Sequence, residues 1–259
     1  MIAAQVHAYL RTPGPGRRQV RVGPFTVRFT PGNRHPMSNY AVPDDGARPT
    51  ATDLASLVEA FAARGLLPRV EYVADAAPHL EAALLTAGFT IDDRLPLMAC
   101  PPGAARRLLP PEGIAVVQAR SREDHADAIR VADLAYGEPT TTPPDPVAVL
   151  ARLRAAGRGA VVVVARDVAT GAACGSGVAT VPRAGVSELA GIGTHPDFRG
   201  RGVAASVTSL LARLALAGPV ELLWLTPGDD GAARVYERVG FGAGGATMVH
   251  ASRPRPKVP

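Results

Sequence analysis

Two arginines and two glycines alternate in one short stretch, Thr194 to Ser206, which reads THPDFRGRGVAAS. The stretch follows an apolar run and passes directly into residues that favour a helix. A glycine-containing loop at the start of a helix presents unpaired backbone N–H groups and the positive end of the helix dipole. Such a turn can hold a pyrophosphate. Taken alone, the pattern also fits a solvated loop.

The residue types within this loop favour an anion site. Gly200 and Gly202 let the chain turn with N–H groups pointing inward, and they place no Cβ in the way of a ligand. Arg199 and Arg201 add positive charge that can meet phosphate oxygens. Ala204 keeps the first helical turn small for the same reason.

Two stretches of the sequence resemble signatures of the GNAT acetyltransferase superfamily. DFRGRGVAASVTSLL is similar to the acyl-CoA-binding signature, Arg/Gln-x-x-Gly-x-Gly/Ala, at Arg199, Gly202 and Ala204. The stretch DDGAARVYERVGF is similar to a second signature, Asn-x-x-Ala-x-x-x-Tyr-x-x-x-Gly-Phe. Its matching residues are Asp229 (in place of the asparagine), Ala232, Tyr236, Gly240 and Phe241. The resemblance covers about residues 113–251 and, more weakly, the N-terminal half.

This resemblance implies an acetyl-CoA site as well as a fold. In the family, the strand before the loop splays from its neighbour, so that its backbone can pair with the pantetheine arm; here that strand segment is Ile192, Gly193 and Thr194. The pyrophosphate would be held by the loop residues Arg199, Gly200, Arg201, Gly202, Val203 and Ala204. Asp229 stands where the family has an asparagine that contacts the cofactor.

Transfer of an acetyl group to an amine needs a neutral amine, a stabilised oxyanion and a proton for the departing thiolate. The resemblance places Tyr236 as the general acid, and the alternative is an aromatic side chain in the core. Glu188 lies where several family members carry a general base. A carboxylate in a run as apolar as LAGIG is unusual unless it is paired or functional, although it could also lie at the solvated end of its strand.

Hydrophobic periodicity predicts a mixed α/β architecture. The C-terminal half has the order β-α-α-β-β-β-α-β-α-β, and the N-terminal half looks like a shortened copy. A shift of 152 positions superposes VEYVADAAPHLEAALLTAGF on LLWLTPGDDGAARVYERVGF, which favours an internal duplication over two unrelated pieces. The copy has the acidic DDGARPT where a phosphate loop would be, and Leu84 in place of Tyr236. We therefore expect this half to be unable to bind CoA or to donate the proton.

The proline-rich stretch PPGAARRLLPPEG divides the chain. We expect a degenerate GNAT-like domain over residues 1–108, an acetyltransferase domain over 109–251 and a disordered tail over 252–259.

The chain has 259 residues, a net charge of +5 and two cysteines. The cysteines have no metal or redox spacing, and the arginines form no nucleic-acid stripe. No span suits a membrane and no secretion signal is visible, so we expect a cytoplasmic protein without a metal.

The sequence thus predicts an acetyl-CoA-dependent N-acetyltransferase that acts by direct attack in a ternary complex, because no cysteine lies near the signatures. A small-molecule primary amine is the first choice of acceptor, and a protein or peptide amine is the second. An inactive CoA-binding sensor or interaction module is the alternative outside the enzymes. Nucleic-acid and membrane partners are not expected, a homodimer stays open, and the sequence does not identify the acceptor or the acyl chain length.

Overall fold

The computed structural model describes residues 2–14, 18–137 and 144–254. Its first elements are α1 (Ile2–Arg11), β1 (Arg18–Val22), β2 (Phe25–Phe29), β3 (Tyr40–Pro43), α2 (Ala51–Ala62), β4 (Arg69–Val73), α3 (Leu80–Thr86) and β5 (Thr90–Cys100). They are followed by β6 (Ile114–Gln118), α4 (Arg122–Ala135), α5 (Pro146–Ala156), β7 (Val161–Asp167), β8 (Ala173–Ala179) and β9 (Val186–Thr194). The last are α6 (Val203–Leu216), β10 (Leu222–Leu225), α7 (Asp230–Val239) and β11 (Gly242–Ser252).

These elements confirm the predicted mixed α/β fold and the predicted element order of the C-terminal half. Two helices of this half begin with side-chain caps. Ser121 and Asp124 form a reciprocal capping box at α4, and the carboxylate of Asp145 accepts from the Val147 N–H at α5. Each cap satisfies backbone donors that the first helical turn leaves unpaired. No helix of the described ranges is long and apolar enough to span a membrane.

The chain forms two compact units: unit 1 comprises residues 1–97 and 243–259, and unit 2 comprises residues 98–242. These limits differ from the expected break after residue 108, because pairing partners decide where each strand belongs. β11 pairs antiparallel with β4 and therefore lies in unit 1. The last residues of β5, Met98 to Cys100, pair with β10 in unit 2. Ser252 ends β11, so the expected tail begins too early, and residues 255–259 lie outside the described ranges.

Unit 1 has a sheet with the order β1-β2-β3-β4-β11. β1 and β2 form an antiparallel hairpin, and β3 pairs parallel with β4. The buried residues Leu57 and Phe61 of α2 pack in one core with Leu80 and Leu84 of α3. Leu84, which takes the place of Tyr236 in the sequence repeat, is thus a fully buried core residue.

Unit 2 has a sheet with the order β10-β9-β8-β7-β6, completed by the end of β5. Helix α6 lies unusually close to β8, which has glycines where the helix crosses it. A Cβ on Gly175 would lie 2.5 Å from Cγ1 of Val203, and one on Gly177 would lie 2.7 Å from Cδ1 of Leu211. This close packing fixes the start of α6, and with it the preceding arginine–glycine loop, against the sheet.

The expected repeat is visible in the element bounds. Adding 152 to the limits of β5, residues 90–100, gives 242–252, which are the limits of β11. The same shift carries α3 onto residues 232–238, which lie within α7. The correspondence supports the predicted internal duplication. Helix α1 is one element that was not expected from the sequence.

Candidate active site

The neighbouring parallel strands β9 and β10 of unit 2 separate part-way along their length. β10 pairs with β9 only at Val186, Ser187 and Glu188. β9 continues to Thr194 and pairs with β8 on its other edge. Within the described ranges, no pairing is found on the β10 side of β9 beyond Glu188. This opening agrees with the splay that the sequence led us to expect.

A β-bulge in β9 sets which side chains face each way. The register with β8 shifts between Ser176 and Val178, and Gly191 has a left-handed φ of 59°. Leu189 and Ile192, three residues apart, both pack on the core that includes α6. Gly193 faces α4, where a Cβ would lie 2.7 Å from Cβ of Ala135. The extra residue of the bulge therefore reverses which side chains of β9 face α6 and which face α4 in the segment just before the loop.

The arginine–glycine loop has the geometry that its sequence predicts. Gly200 and Gly202 have φ values of 74° and 88°, in the left-handed region that favours glycine. Gly202 is the N-cap of α6, so the unpaired N–H groups of this helix start lie in the loop. The Val203 side chain is 1% exposed and belongs to the core, which leaves its backbone as the part available to a ligand. The Arg201 guanidinium lies over the Phe198 ring at 5.0 Å.

A cavity of about 210 Å³ lies beside this loop. Its lining includes six residues that the sequence selected: Ile192, Gly193, Thr194, Arg199, Ala204 and Tyr236. The other lining residues are Ala135, Tyr136, Ala232 and Val235. Six further candidates do not line it: Glu188, Gly200, Arg201, Gly202, Val203 and Asp229.

Three features make this cavity suitable for a polar ligand chain. It lies at the unpaired edge of β9, next to the loop at the start of α6. Thr194 Oγ1 is buried and has no hydrogen-bond partner in the part of the chain that the structure describes. A ligand hydrogen bond there would remove the cost of an unsatisfied buried hydroxyl. The residues present therefore fit the pantetheine arm and pyrophosphate of an acyl-CoA.

Tyr236 brings a protonated phenol to the cavity. Burial, followed by interactions with Tyr136 and the Asp229 carboxylate, raises its pKa to about 12. The ring lies 6.2 Å from the ring of Phe241. At neutral pH the phenol holds its proton and can act as a donor.

Asp229 has a structural role at the start of α7. Its Oδ1 accepts a hydrogen bond of 2.7 Å from the Ala232 N–H, which makes it the N-cap. Asp is among the residues best suited to that position. The cap uses one carboxylate oxygen, and the negative charge contributes to the raised pKa of Tyr236.

Glu188 is partly buried and lies where β9 and β10 are still paired, opposite Trp224. Its N–H donates to Thr180 Oγ1 at 3.0 Å. Because side chains alternate along a strand and Leu189 packs on the core, Glu188 lies on the opposite face of the sheet. Trp224 is 2% exposed and is a buried residue rather than an open cleft wall.

Tyr136 was not a candidate site residue in the sequence, but it contacts the edge of β9 inside the cavity. Its hydroxyl donates to the Ile192 carbonyl at 3.2 Å. Arg199 is engaged as well: Nη2 donates to the Ala135 carbonyl at 3.0 Å and Nε donates to the Thr194 carbonyl at 3.4 Å. Tyr136 follows the last residue of α4 and has no motif around it, so only the three-dimensional structure shows its proximity to Ile192.

Neither cysteine is suited to carry an acyl group. Cys100 and Cys174 are free and buried, and burial raises the pKa of Cys100 to about 11 and also raises that of Cys174. A thiol held in its protonated form is a poor nucleophile. Within the described residues, no cluster of three or more histidines, cysteines or carboxylates could hold a metal ion.

The unpaired edge of β9, Arg199 and Ala204 of the loop, and the Tyr236 phenol line one cavity, an arrangement that suits a protein acting on acyl-CoA. Residues 126–241 match the model of the acetyltransferase (GNAT) family. The match covers a segment that lies within unit 2, and it confirms the resemblance seen in the sequence for that segment. It supports an acyl-CoA N-acetyltransferase in general terms, and the family generally uses acetyl-CoA.

Solved structures extend the likeness to the whole chain. A GCN5-related N-acetyltransferase from Kribbella flavida has 29% identity and a TM-score of 0.76, covering 99% of this chain and 95% of that one. A tandem GNAT protein from the clavulanic acid biosynthesis pathway has 18% identity and a TM-score of 0.61, covering 98% and 89%. A GCN5-related N-acetyltransferase from Sphaerobacter thermophilus has 20% identity and a TM-score of 0.56, covering 74% and 61%. The last two likenesses concern the fold alone. No curated protein matches the chain.

Proposed function

We propose that unit 2 transfers an acetyl group from acetyl-CoA to the primary amine of a small molecule, by direct attack in a ternary complex. The observation that carries the proposal is the cavity that joins the unpaired edge of β9, the arginine–glycine loop and the Tyr236 phenol. Unit 1 has no corresponding role in proton donation, because the residue in place of Tyr236 is the buried Leu84.

Each part of the site supplies one requirement of the reaction. The backbone of Ile192 and Thr194 orients the pantetheine arm, and the N–H groups from Arg199 to Ala204 hold the pyrophosphate. Tyr236 donates a proton to the thiolate as it leaves. The phenol has the higher pKa of the two groups, so this donation depends on stabilisation of the resulting phenolate within the site.

Glu188 is the proposed general base, acting on the amine before attack. Its place opposite Trp224, outside the cavity lining, means that it would work through an intervening water. We expect Glu188→Gln to lose the acidic limb of the pH–rate profile, because that limb reports ionisation of the base. A profile with the same acidic limb in wild type and variant would remove Glu188 from this role.

Calorimetric titration with acetyl-CoA tests the cofactor site. We expect saturable micromolar binding by the wild type and its loss in Gly202→Glu, because the substitution puts a negative charge and a left-handed glutamate at the start of α6. Gly171→Glu is the matched control. Gly171 also has a left-handed φ, 73°, with no atom within 4 Å of an added Cβ, but it lies in the β7–β8 turn. Loss of binding in both variants would attribute the effect to backbone strain instead.

Absence of binding by the folded wild type would contradict the proposal. Binding without cleavage of the thioester across a library of amines would instead favour a CoA-binding sensor. Acetylation of peptides but not of small amines would favour a protein or peptide acceptor. A cytoplasmic location is part of the same proposal, because acetyl-CoA must be supplied there.

A further inference from the structure

Two internal donors occupy the unpaired edge of β9. Tyr136 donates to the Ile192 carbonyl, and Arg199 Nε donates to the Thr194 carbonyl. Carbonyls two residues apart on a strand point to the same edge, while Gly193 between them pairs with Ser176 on the other side. The hydrogen bonds that the proposed function assigns to the pantetheine arm are thus already made within the protein.

The two donors are linked through the end of α4. Arg199 Nη2 donates to the carbonyl of Ala135, the residue directly before Tyr136. The close approach of Gly193 to Ala135 keeps this end of α4 against β9. A displacement of the Arg199 guanidinium therefore removes one of the contacts that position Tyr136.

We propose that the hydrogen bonds of Tyr136 and Arg199 close the cavity to acyl-CoA in the free protein. Binding of the ligand's pyrophosphate breaks the Arg199 bonds first and so opens the cavity. This inference rests on the proposed function. A pyrophosphate draws the Arg199 guanidinium away from the Thr194 and Ala135 carbonyls, because bonds to an anion are stronger than bonds to a neutral carbonyl. The pantetheine arm then replaces the Tyr136 hydroxyl at the Ile192 carbonyl.

Tyr136 is 64% exposed and is not part of the hydrophobic core that contains α6. Its departure from the Ile192 carbonyl therefore does not require that core to repack. The bond to Ile192 is lost when the ligand binds, and its net free energy opposes binding. Removal of the Tyr136 hydroxyl should therefore strengthen binding by the net free energy of one hydrogen bond, which lowers Kd about two- to tenfold.

The test compares Tyr136→Phe with the wild type against two ligands. Acetyl-CoA has a pantetheine arm, whereas adenosine 3′-phosphate 5′-diphosphate has the pyrophosphate without the arm. We expect the variant to bind acetyl-CoA about two- to tenfold more tightly and the truncated ligand with unchanged affinity. Tyr72→Phe is the matched control, because Tyr72 is a buried residue of β4 in unit 1 and its hydroxyl has no hydrogen-bond partner in the described ranges.

Each outcome decides between the closure and the proposed function. Equal or weaker binding of acetyl-CoA by Tyr136→Phe overturns the closure and leaves the function standing. Tighter binding of both ligands also overturns it, because the effect would not belong to the pantetheine arm. Binding by the variant alone, with none by the wild type, supports an effective closure. Binding by neither protein overturns both proposals.

Discussion

At the scale of single residues, the phenol of Tyr236 illustrates how environment sets a chemical role. Burial comes first among the causes of its raised pKa, followed by Tyr136 and the charge of Asp229. Each of these disfavours the phenolate, so the resting site keeps the proton in place. The same factors make release of the proton difficult, so the proposed mechanism requires the site to stabilise the phenolate when the thiolate forms.

We expect Tyr236→Phe to lower kcat by about 10²- to 10⁴-fold, the usual range for loss of a general acid, with little change in acetyl-CoA affinity. The phenylalanine keeps the ring and its packing near Phe241. Steady-state kinetics with an identified amine, together with calorimetry, would measure the two effects separately. Tyr72→Phe again serves as the control. Unaltered kcat would assign Tyr236 to packing alone.

The conformation of the arginine–glycine loop was predictable from the sequence because it depends on local backbone geometry. The left-handed glycines of the loop are an example: their spacing alone predicts a turn with inward N–H groups. Tyr136 was not predictable, because its contact with Ile192 joins positions 56 residues apart. The sequence predicted that Glu188 lies on the strand before the loop. It did not predict that Glu188 lies outside the cavity lining, because that depends on where β10 separates from β9.

At the scale of secondary-structure elements, the acidic turn after β3 holds the N-terminal helix. Asp45 accepts from Nη2 of Arg11 at 2.7 Å, and its Oδ1 lies 2.7 Å from Nδ1 of His7, a fully buried residue. Asp44 pairs with Arg21 of β1. The acidic stretch DDGARPT was expected only to lack a phosphate loop, but in the structure its carboxylates pair with side chains of α1 and β1. The acidic residues Asp44 and Asp45 thus help to hold α1, the helix that was not expected from the sequence, and the adjoining β1.

This arrangement predicts that α1 loosens in mild acid. Burial lowers the pKa of His7, and the bond to Asp45 opposes the shift only in part. The folded state then binds fewer protons than the unfolded state, so stability is full above the ordinary histidine pKa of about 6.5 and decreases as the pH falls below it. The pKa of Asp45 is lowered despite the opposing effect of burial, through bonds to His7 and Arg11, so this carboxylate stays charged in that window.

Hydrogen exchange of the α1 amides, corrected for the intrinsic effect of pH, would measure this loss between pH 7 and pH 5. We expect His7→Gln to flatten the dependence, because the substituted side chain does not titrate. His79→Gln, at an exposed position before α3, should behave like the wild type. A wild-type helix with constant protection over this range would contradict the prediction.

At the scale of the whole molecule, hydrophobic periodicity was enough to predict the mixed α/β fold and the element order of the C-terminal half, and the repeat of 152 positions can be found in the sequence alone. The limits of the units were not predictable from those signals. A proline-rich segment looks like a domain boundary, but the partner of a strand depends on distant sequence. β11 was assigned to the second domain by its position in the chain, and its pairing with β4 places it in unit 1.

The placement of β11 has a consequence for synthesis on the ribosome. Residues 1–97 emerge early, yet the sheet of unit 1 lacks its last strand until residues 243–252 have been translated. Unit 2, whose residues are contiguous, can complete its own sheet first. Until β11 arrives, the nascent chain presents an unpaired β4 edge, the kind of surface that invites pairing with another chain. The half of the protein made first is therefore the half that finishes folding last.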